Sequence, residues 1–117
     1  MDQKSRRKEL VAEYRRTGPE AGVYRLVNRQ TGKALLGSAL NLGSMQGKLD
    51  FARKTGGISA LDRKVWPDAR QYGVEAFDLE ILEVLEVRPE MTPVEVRSDL
   101  TALEELWRER YDPSQLY

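Results

Sequence analysis

The sequence predicts an α+β domain in which a small three-stranded antiparallel sheet is flanked by helices. Residues 22–28 alternate and are rich in strand formers, the turn signal Gln30-Thr31-Gly32 follows, and residues 33–38 are expected to form the returning strand, which favours an antiparallel hairpin. A third alternating segment, residues 76–85, follows two helical patterns, and a long helical pattern comes after it. The predicted order is therefore helix, hairpin, two helices, strand and helix, which gives one sheet with helices packed on it.

The first element is predicted to be a helix over residues 5–17. Leu10, Val11 and Tyr14 recur there at helical spacing among charged residues. Gly18-Pro19 is expected to end it, because glycine is favoured just after a helix and proline cannot continue one.

The segment between the hairpin and the third strand is predicted to hold two helices. The first covers residues 41–54, with Asn41 as N-cap, and one face carries Leu42, Met45, Leu49 and Ala52. The second is expected to begin after Ser59 as N-cap and to carry Leu61, Val65 and Trp66. Pro67 either kinks this helix or begins a separate turn that runs to Tyr72-Gly73.

The third strand and the last helix follow the same reasoning. Period-two spacing predicts one strand face with Phe77, Leu79, Ile81 and Glu83. Thr92 is the expected N-cap and Pro93 the first residue of a helix that runs to Tyr111. Its predicted core stripe is Val96, Leu100, Leu103, Trp107 and Tyr111.

Composition limits the chemistry that the chain can perform. Its 117 residues, 40% apolar and 32% charged, suit one globular domain that covers residues 1–117. Neither cysteine nor histidine occurs, so thiolate and imidazole nucleophiles, imidazole bases and His-ligated zinc are excluded. Catalysis would have to use carboxylates, tyrosines, lysines, arginines, hydroxyls or a bound metal ion.

No membrane partner is expected. The longest apolar stretches are only a few residues long, whereas a membrane-spanning helix needs about 20. The charged N-terminus is not followed by the apolar region of a secretory signal. A cytoplasmic location is therefore expected.

The net charge of zero conceals an asymmetry between the two halves of the chain. Residues 1–60 contain twelve Lys/Arg and five Asp/Glu, whereas residues 61–117 contain seven and fourteen. A basic half can face a polyanion while an acidic half holds a cation. Alternatively, the two halves neutralise each other across the fold.

The hairpin carries a resemblance to a known family. Gly22-Val23-Tyr24, ten residues and then Leu35-Leu36-Gly37 resemble the two half-motifs of the GIY-YIG nucleases. The likeness covers about residues 21–113, with residues 1–20 as an N-terminal helical extension. Further matching residues, in chain order, are Asn28, Gly32-Lys33, Ser38, Asn41-Leu42, Leu61, Trp66, Tyr72-Gly73, Ala76-Phe77, Glu80-Ile81-Leu82-Glu83, Leu103-Glu104-Glu105 and Tyr111-Asp112-Pro113.

The resemblance implies a GIY-YIG-like fold and metal-dependent hydrolysis of nucleic-acid phosphodiesters, with DNA as the expected partner. By position, Tyr24 would act near the attacking water as a general base or its relay. Glu104 would hold a single divalent cation, Mg²⁺ or Mn²⁺. Gly22, Gly37 and Asn41 would be structural residues of the motif.

Three positions depart from the family pattern. Leu35 replaces the second tyrosine, Met45 replaces the usual arginine and Leu49 stands where a histidine or tyrosine often follows. Lys48 can supply positive charge as a third catalytic residue, but without the bidentate guanidinium fork. Any hydrolysis is therefore expected to be slow or impaired.

Each candidate residue also has a structural interpretation. Tyr24 can be a packed strand tyrosine, and Glu104 can be a helix carboxylate that pairs with Arg108 at i,i+4. The expected nucleic-acid ligands, Lys33, Lys48, Arg53 and Lys54, can equally form a solvated basic surface. The alternatives to an endonuclease are thus a catalytically inactive nucleic-acid-binding module and a protein-interaction module on the same fold.

Overall fold

The computed structural model describes residues 20–117, and the helix predicted over residues 5–17 lies outside them. The predicted α+β class is confirmed, with three antiparallel strands in one open sheet and helices packed against it. The strands are β1 (Gly22–Asn28), β2 (Ala34–Ala39) and β3 (Phe77–Val84), and the α-helices are α1 (Leu42–Thr55), α2 (Trp66–Tyr72) and α3 (Pro93–Arg108).

The central strand of the sheet is β1, which pairs with β2 on one side and with β3 on the other. In the hairpin, Tyr24 lies opposite Gly37 and Leu26 lies opposite Leu35. The connecting turn closes at Gly32, whose φ of 78° suits glycine, and whose N–H donates to the Asn28 carbonyl at 2.7 Å. The predicted hairpin is confirmed, with β2 shifted by one residue at each end.

Helix α1 confirms the predicted cap, and its boundaries agree with the prediction to within one residue. The Asn41 side chain accepts a hydrogen bond from the Ser44 N–H, and Gly56 ends the helix in the left-handed conformation with φ 72°. Three members of the predicted apolar face are buried: Leu42, Leu49 and Ala52. Met45, the fourth, is only partly buried.

The prediction of a helix that begins after Ser59 is wrong. Ser59 lies inside a short 3-10 helix, Ile58–Ala60, and a second one, Arg63–Val65, follows. The chain then enters α2, where Pro67 occupies the first turn. Proline is well tolerated there because an N–H in the first turn has no partner within the helix. Of the two interpretations of Pro67, a separate element is therefore correct, and it ends at Tyr72.

Strand β3 contains a register shift that the sequence pattern missed. Ile81 lies opposite Tyr24, whereas Glu83 lies opposite Val23, so one extra residue intervenes. Val23 and Tyr24 point to opposite faces, and the same must hold for Glu83 and Ile81. The prediction that Glu83 shares a face with Ile81 is therefore wrong.

Helix α3 begins as predicted and ends earlier. The Thr92 side chain accepts from the Glu95 N–H, Pro93 is in the first turn and the helix ends at Arg108 rather than at Tyr111. Val96 and Leu100 of the predicted stripe are buried; its remaining members, Leu103, Trp107 and Tyr111, are partly buried.

The main core lies between the sheet and the helices α1 and α2. Its largest fully buried members include Phe77 and Leu49, and the cluster extends through the 3-10 segments. A smaller cluster, Ala21, Val96 and Leu100, packs α3 against the beginning of β1. Within residues 20–117, no helix is both long and apolar enough to cross a membrane.

Candidate active site

The Tyr24 side chain lies over β2, one of the two edge strands of the sheet. Gly37 faces Tyr24 across the hairpin, and a Cβ atom at Gly37 would come within 2.7 Å of the phenol oxygen and 2.8 Å of Cζ. Real Cβ atoms do not approach other heavy atoms so closely. Glycine at this position therefore lets the phenol ring cross the edge strand.

Tyr24 also lines a pocket of about 230 Å³ between the sheet and α1. Lys48 and Asp62 contribute the charged groups of this pocket, and both side chains are exposed. Leu35 and Met45 line the same pocket. At these two positions the family pattern would place a hydroxyl and a guanidinium. The remaining lining residues are Leu26, Leu49, Ala60, Leu61 and Leu79.

The pKa of Tyr24 is raised above its ordinary value of 10.0. Burial is the largest cause, followed by the negative charges of Asp62 and Glu104. At neutral pH the phenol is therefore protonated and can donate a hydrogen bond. To act as a base it would need a nearby cation to offset this shift.

Glu104 reaches this region from the other side of the sheet. It lies on α3, does not line the pocket, and its Oε2 accepts a hydrogen bond from Arg108 Nη2 at 3.1 Å. Arg108 in turn donates to the Leu36 carbonyl oxygen at 3.4 Å, which ties this part of α3 to β2. Tyr24 and Glu104 are thus brought within electrostatic range, while Lys48 and Asp62 share the pocket with Tyr24.

The metal-binding capacity of this region rests on single carboxylates. Among the described residues, no group of three or more acidic, histidine or cysteine side chains is arranged to hold a metal ion. One carboxylate with several waters is an ordinary Mg²⁺ arrangement. The Glu104 side chain is 26% exposed and only its Oε2 is engaged by Arg108, so its other oxygen suits such a site.

The predicted basic ligands do not gather around Lys48. The Arg53 guanidinium donates to the Phe77 carbonyl and, at 2.8 Å, to Asp78, so it joins α1 to β3. Lys33 lies at the turn end of the hairpin, with its Nζ 5.1 Å from the centroid of the Tyr117 ring. Lys54 is exposed in the last turn of α1.

The predicted structural residues each have a physical explanation. A Cβ atom at Gly22 would collide with the Glu83 carbonyl oxygen and approach Leu42 Cδ1 to 2.9 Å. Gly37 makes room for Tyr24, and Asn41 caps α1. These three positions support the geometry of the hairpin and its exit into α1.

Asp62 is a site residue that the sequence interpretation missed. Its Oδ1 accepts from the Lys64 N–H at 2.9 Å and thereby caps a 3-10 helix. An aspartate placed before a short turn is a common local cap, so no separate signal of a functional role is present at this position in the sequence. Its position beside Tyr24 results from the packing of the 3-10 segment against the sheet.

Comparisons of the chain with protein-family models, with curated proteins and with solved structures return no match.

Proposed function

We propose that this protein is a divergent, metal-dependent phosphodiesterase of the endonuclease type that acts slowly on nucleic acid. One observation carries the proposal: the phenol of Tyr24 shares an open pocket with Lys48 and lies within electrostatic range of Asp62 and Glu104. A proton donor or relay, a cation and carboxylates are the groups that metal-assisted phosphodiester hydrolysis requires.

The chain's own residues supply distinct parts of this chemistry. The protonated Tyr24 hydroxyl donates to a phosphate oxygen or relays the proton of the attacking water. Lys48 stabilises the negative charge that develops on the phosphate. Glu104 is the carboxylate that would hold a divalent cation, and Mg²⁺ or Mn²⁺, when bound, would supply Lewis-acid activation of the phosphate and water.

The electrostatics of the region favour a cation near Tyr24. Both carboxylates that raise the pKa of Tyr24 make the local potential more negative. Positive charge placed there would stabilise the carboxylates and lower the pKa of the phenol toward a range useful for proton transfer. The same positive charge would attract the phosphate backbone of a nucleic acid.

A second candidate function is nucleic-acid binding without hydrolysis, and it is favoured by the residues that form the pocket wall. Leu35 and Met45 line the pocket and provide neither a hydroxyl nor a guanidinium to a phosphate. Glu104 is also engaged by Arg108, with which a metal ion would have to compete. The same fold could therefore bind nucleic acid and release it uncleaved.

A cleavage assay separates the two functions. Purified protein is incubated with supercoiled plasmid and with single-stranded oligonucleotides in Mg²⁺, Mn²⁺ or EDTA. We expect slow metal-dependent cleavage that falls at least about 100-fold in Tyr24→Phe and in Glu104→Gln. Glu105→Gln, an exposed neighbour on the same helix, is the matched control and should cleave normally.

A gain-of-function variant tests the same proposal from the other direction. Leu35→Tyr combined with Met45→Arg should raise the cleavage rate, because one charge-stabilising donor is typically worth about 10²–10³ in rate. If neither the natural chain nor this variant cleaves with either metal, hydrolysis is excluded. A salt-dependent gel shift without cleavage would then establish the binding function.

A further inference from the structure

The Tyr24 pocket has a mostly apolar wall. The apolar side chains are Leu26, Leu35, Met45, Leu49, Ala60, Leu61 and Leu79. These apolar side chains offer no hydrogen bonds to a charged phosphate, and a charge buried without partners is costly. The interior of this pocket therefore suits an uncharged, largely apolar group, and the phosphate must stay at its polar rim.

The polar groups of the pocket match the edge of a nucleobase and its phosphate. Asp62 Oδ1 accepts from the Lys64 N–H, whereas no donor within residues 20–117 reaches Asp62 Oδ2. A carboxylate oxygen with spare acceptor capacity pairs with an amino group on a base. Lys48, which has no carboxylate partner among the described side chains, binds phosphate as a point charge.

The size of the pocket limits its occupant to a single ring system. Its volume of about 230 Å³ is below the range of roughly 300–1,000 Å³ that is common for drug-sized ligands. A base that is stacked and paired within a duplex cannot enter such a pocket. An unpaired base can be turned out into it and held by apolar contacts.

We propose that the Tyr24 pocket binds one unpaired nucleobase that carries an amino group, with the adjoining phosphate at Lys48. This inference rests on the proposed function and specifies its substrate class as single-stranded or bulged nucleic acid. Glu104 lies outside the pocket, so base binding and cation binding occupy neighbouring positions, with Tyr24 between them. Adenine, cytosine or guanine would be bound in preference to thymine or uracil, which lack the amino group.

Binding is measured by fluorescence anisotropy in EDTA, so that no cleavage can occur. The probes are labelled oligo(dA), oligo(dT), a duplex with one bulged adenine and the same duplex fully paired. We expect the bulged duplex and oligo(dA) to bind about tenfold or more tightly than their fully paired and thymine counterparts. Equal affinity for the paired and bulged duplexes, or no measurable binding, would overturn the inference.

Two variants show whether the preference arises in the pocket. Asp62→Asn should reduce the preference for oligo(dA) over oligo(dT), and Met45→Trp, which fills the pocket from α1, should remove the preference for the bulged duplex. Asp50→Asn is the matched control, because Asp50 is exposed on α1, bonds Gln46 and does not line the pocket. A preference that survives both variants would place base recognition elsewhere.

The test of base binding does not depend on whether the protein cleaves nucleic acid. If Met45→Trp does not fold, as judged by its thermal transition, the exposed Asp62→Asn change still tests the inference. Cleavage of paired and unpaired substrates at equal rates would support the proposed function and contradict base binding. A preference for the unpaired base without any cleavage would support base binding and contradict hydrolysis.

Discussion

The two faces of the sheet are held together in different ways. On the face toward α1, a continuous apolar cluster joins the sheet to α1, to the 3-10 segments and to α2. On the face toward α3, residues 20–117 form a smaller apolar cluster with Ala21, Val96 and Leu100 as its buried members. Polar contacts supplement it, among them Trp107 Nε1 to Glu83 Oε1 at 2.9 Å and the Arg25–Glu80 ion pair.

This difference shows how stability and candidate function are distributed. Apolar burial supplies most of the folding free energy, so the α1 face carries the greater share. The candidate site draws on both faces, because Tyr24 and Lys48 belong to the apolar side and Glu104 to the side with more polar contacts. Substitutions on the two faces should therefore differ in their effect on stability relative to activity.

The largest expected effect is on the apolar face. Phe77→Ala removes a side chain that is 0% exposed and should lower the free energy of unfolding by about 3–5 kcal/mol. Leu100→Ala, in the smaller cluster on α3, should cost only about 2 kcal/mol, at the low end for a buried leucine. Urea unfolding of both variants measures these losses. Equal losses of unfolding free energy would contradict the proposed difference in stability between the two faces.

The next effect concerns the two glycines of the hairpin. Gly22→Ala should cost about 1–3 kcal/mol, because its Cβ meets the Glu83 backbone, which cannot move without disturbing the β1–β3 pairing. Gly37→Ala should cost less, because the Tyr24 ring can swing aside, but it should lower cleavage by displacing the phenol. Thermal unfolding and the cleavage assay together test this. An unchanged cleavage rate in Gly37→Ala would show that activity does not depend on the position of the Tyr24 phenol.

Tyr117 provides a prediction about pH. Its hydroxyl donates to Asp68 at 2.7 Å and accepts from the fully buried Asn28 at 3.2 Å. Tyr117→Phe leaves the Asn28 amide without this partner and should cost about 1–2 kcal/mol near neutral pH. Chemical denaturation of the two proteins at several pH values measures the difference.

The pH dependence of that difference follows from the direction of the shift. Burial, and then the hydrogen bond to Asp68, raises the pKa of Tyr117 to about 12 from 10.0. The folded state therefore holds this proton more tightly than the unfolded chain. The contribution of Tyr117 to the free energy of unfolding is fully present below pH 10 and is lost as pH rises through about 12. The difference in unfolding free energy between the natural protein and Tyr117→Phe should therefore narrow over that interval. A difference in unfolding free energy that widened with pH would contradict the raised pKa of Tyr117.

The smallest expected effect on stability is at Glu104. Its i,i+4 pair with Arg108 is partly exposed, and such pairs contribute only about 0.3–0.5 kcal/mol. Glu104→Gln should therefore leave the unfolding free energy nearly unchanged while the cleavage rate falls. A large loss of stability with unchanged cleavage would instead identify Glu104 as a structural residue.

Local sequence signals predicted most of the secondary structure correctly. The Asn41 cap and the Thr92-Pro93 start each depend on hydrogen bonds or backbone angles within a few residues. The alternating strands were equally clear. The segment after Gly56 was predicted wrongly, because Leu61 and Val65 are compatible with one helix or with two short 3-10 turns, and packing against the sheet decided between them.

By itself, the sequence determined the α+β class, the hairpin, the helix caps and the absence of thiol and imidazole chemistry, because these follow from composition and from interactions between near neighbours. Only the tertiary structure decided that Glu83 turns toward α3, that Asp62 joins Tyr24 and that Arg53 binds Asp78 instead of remaining available to phosphate. These outcomes depend on strand register and on the packing of segments that are distant in the chain, and no local pattern specifies either.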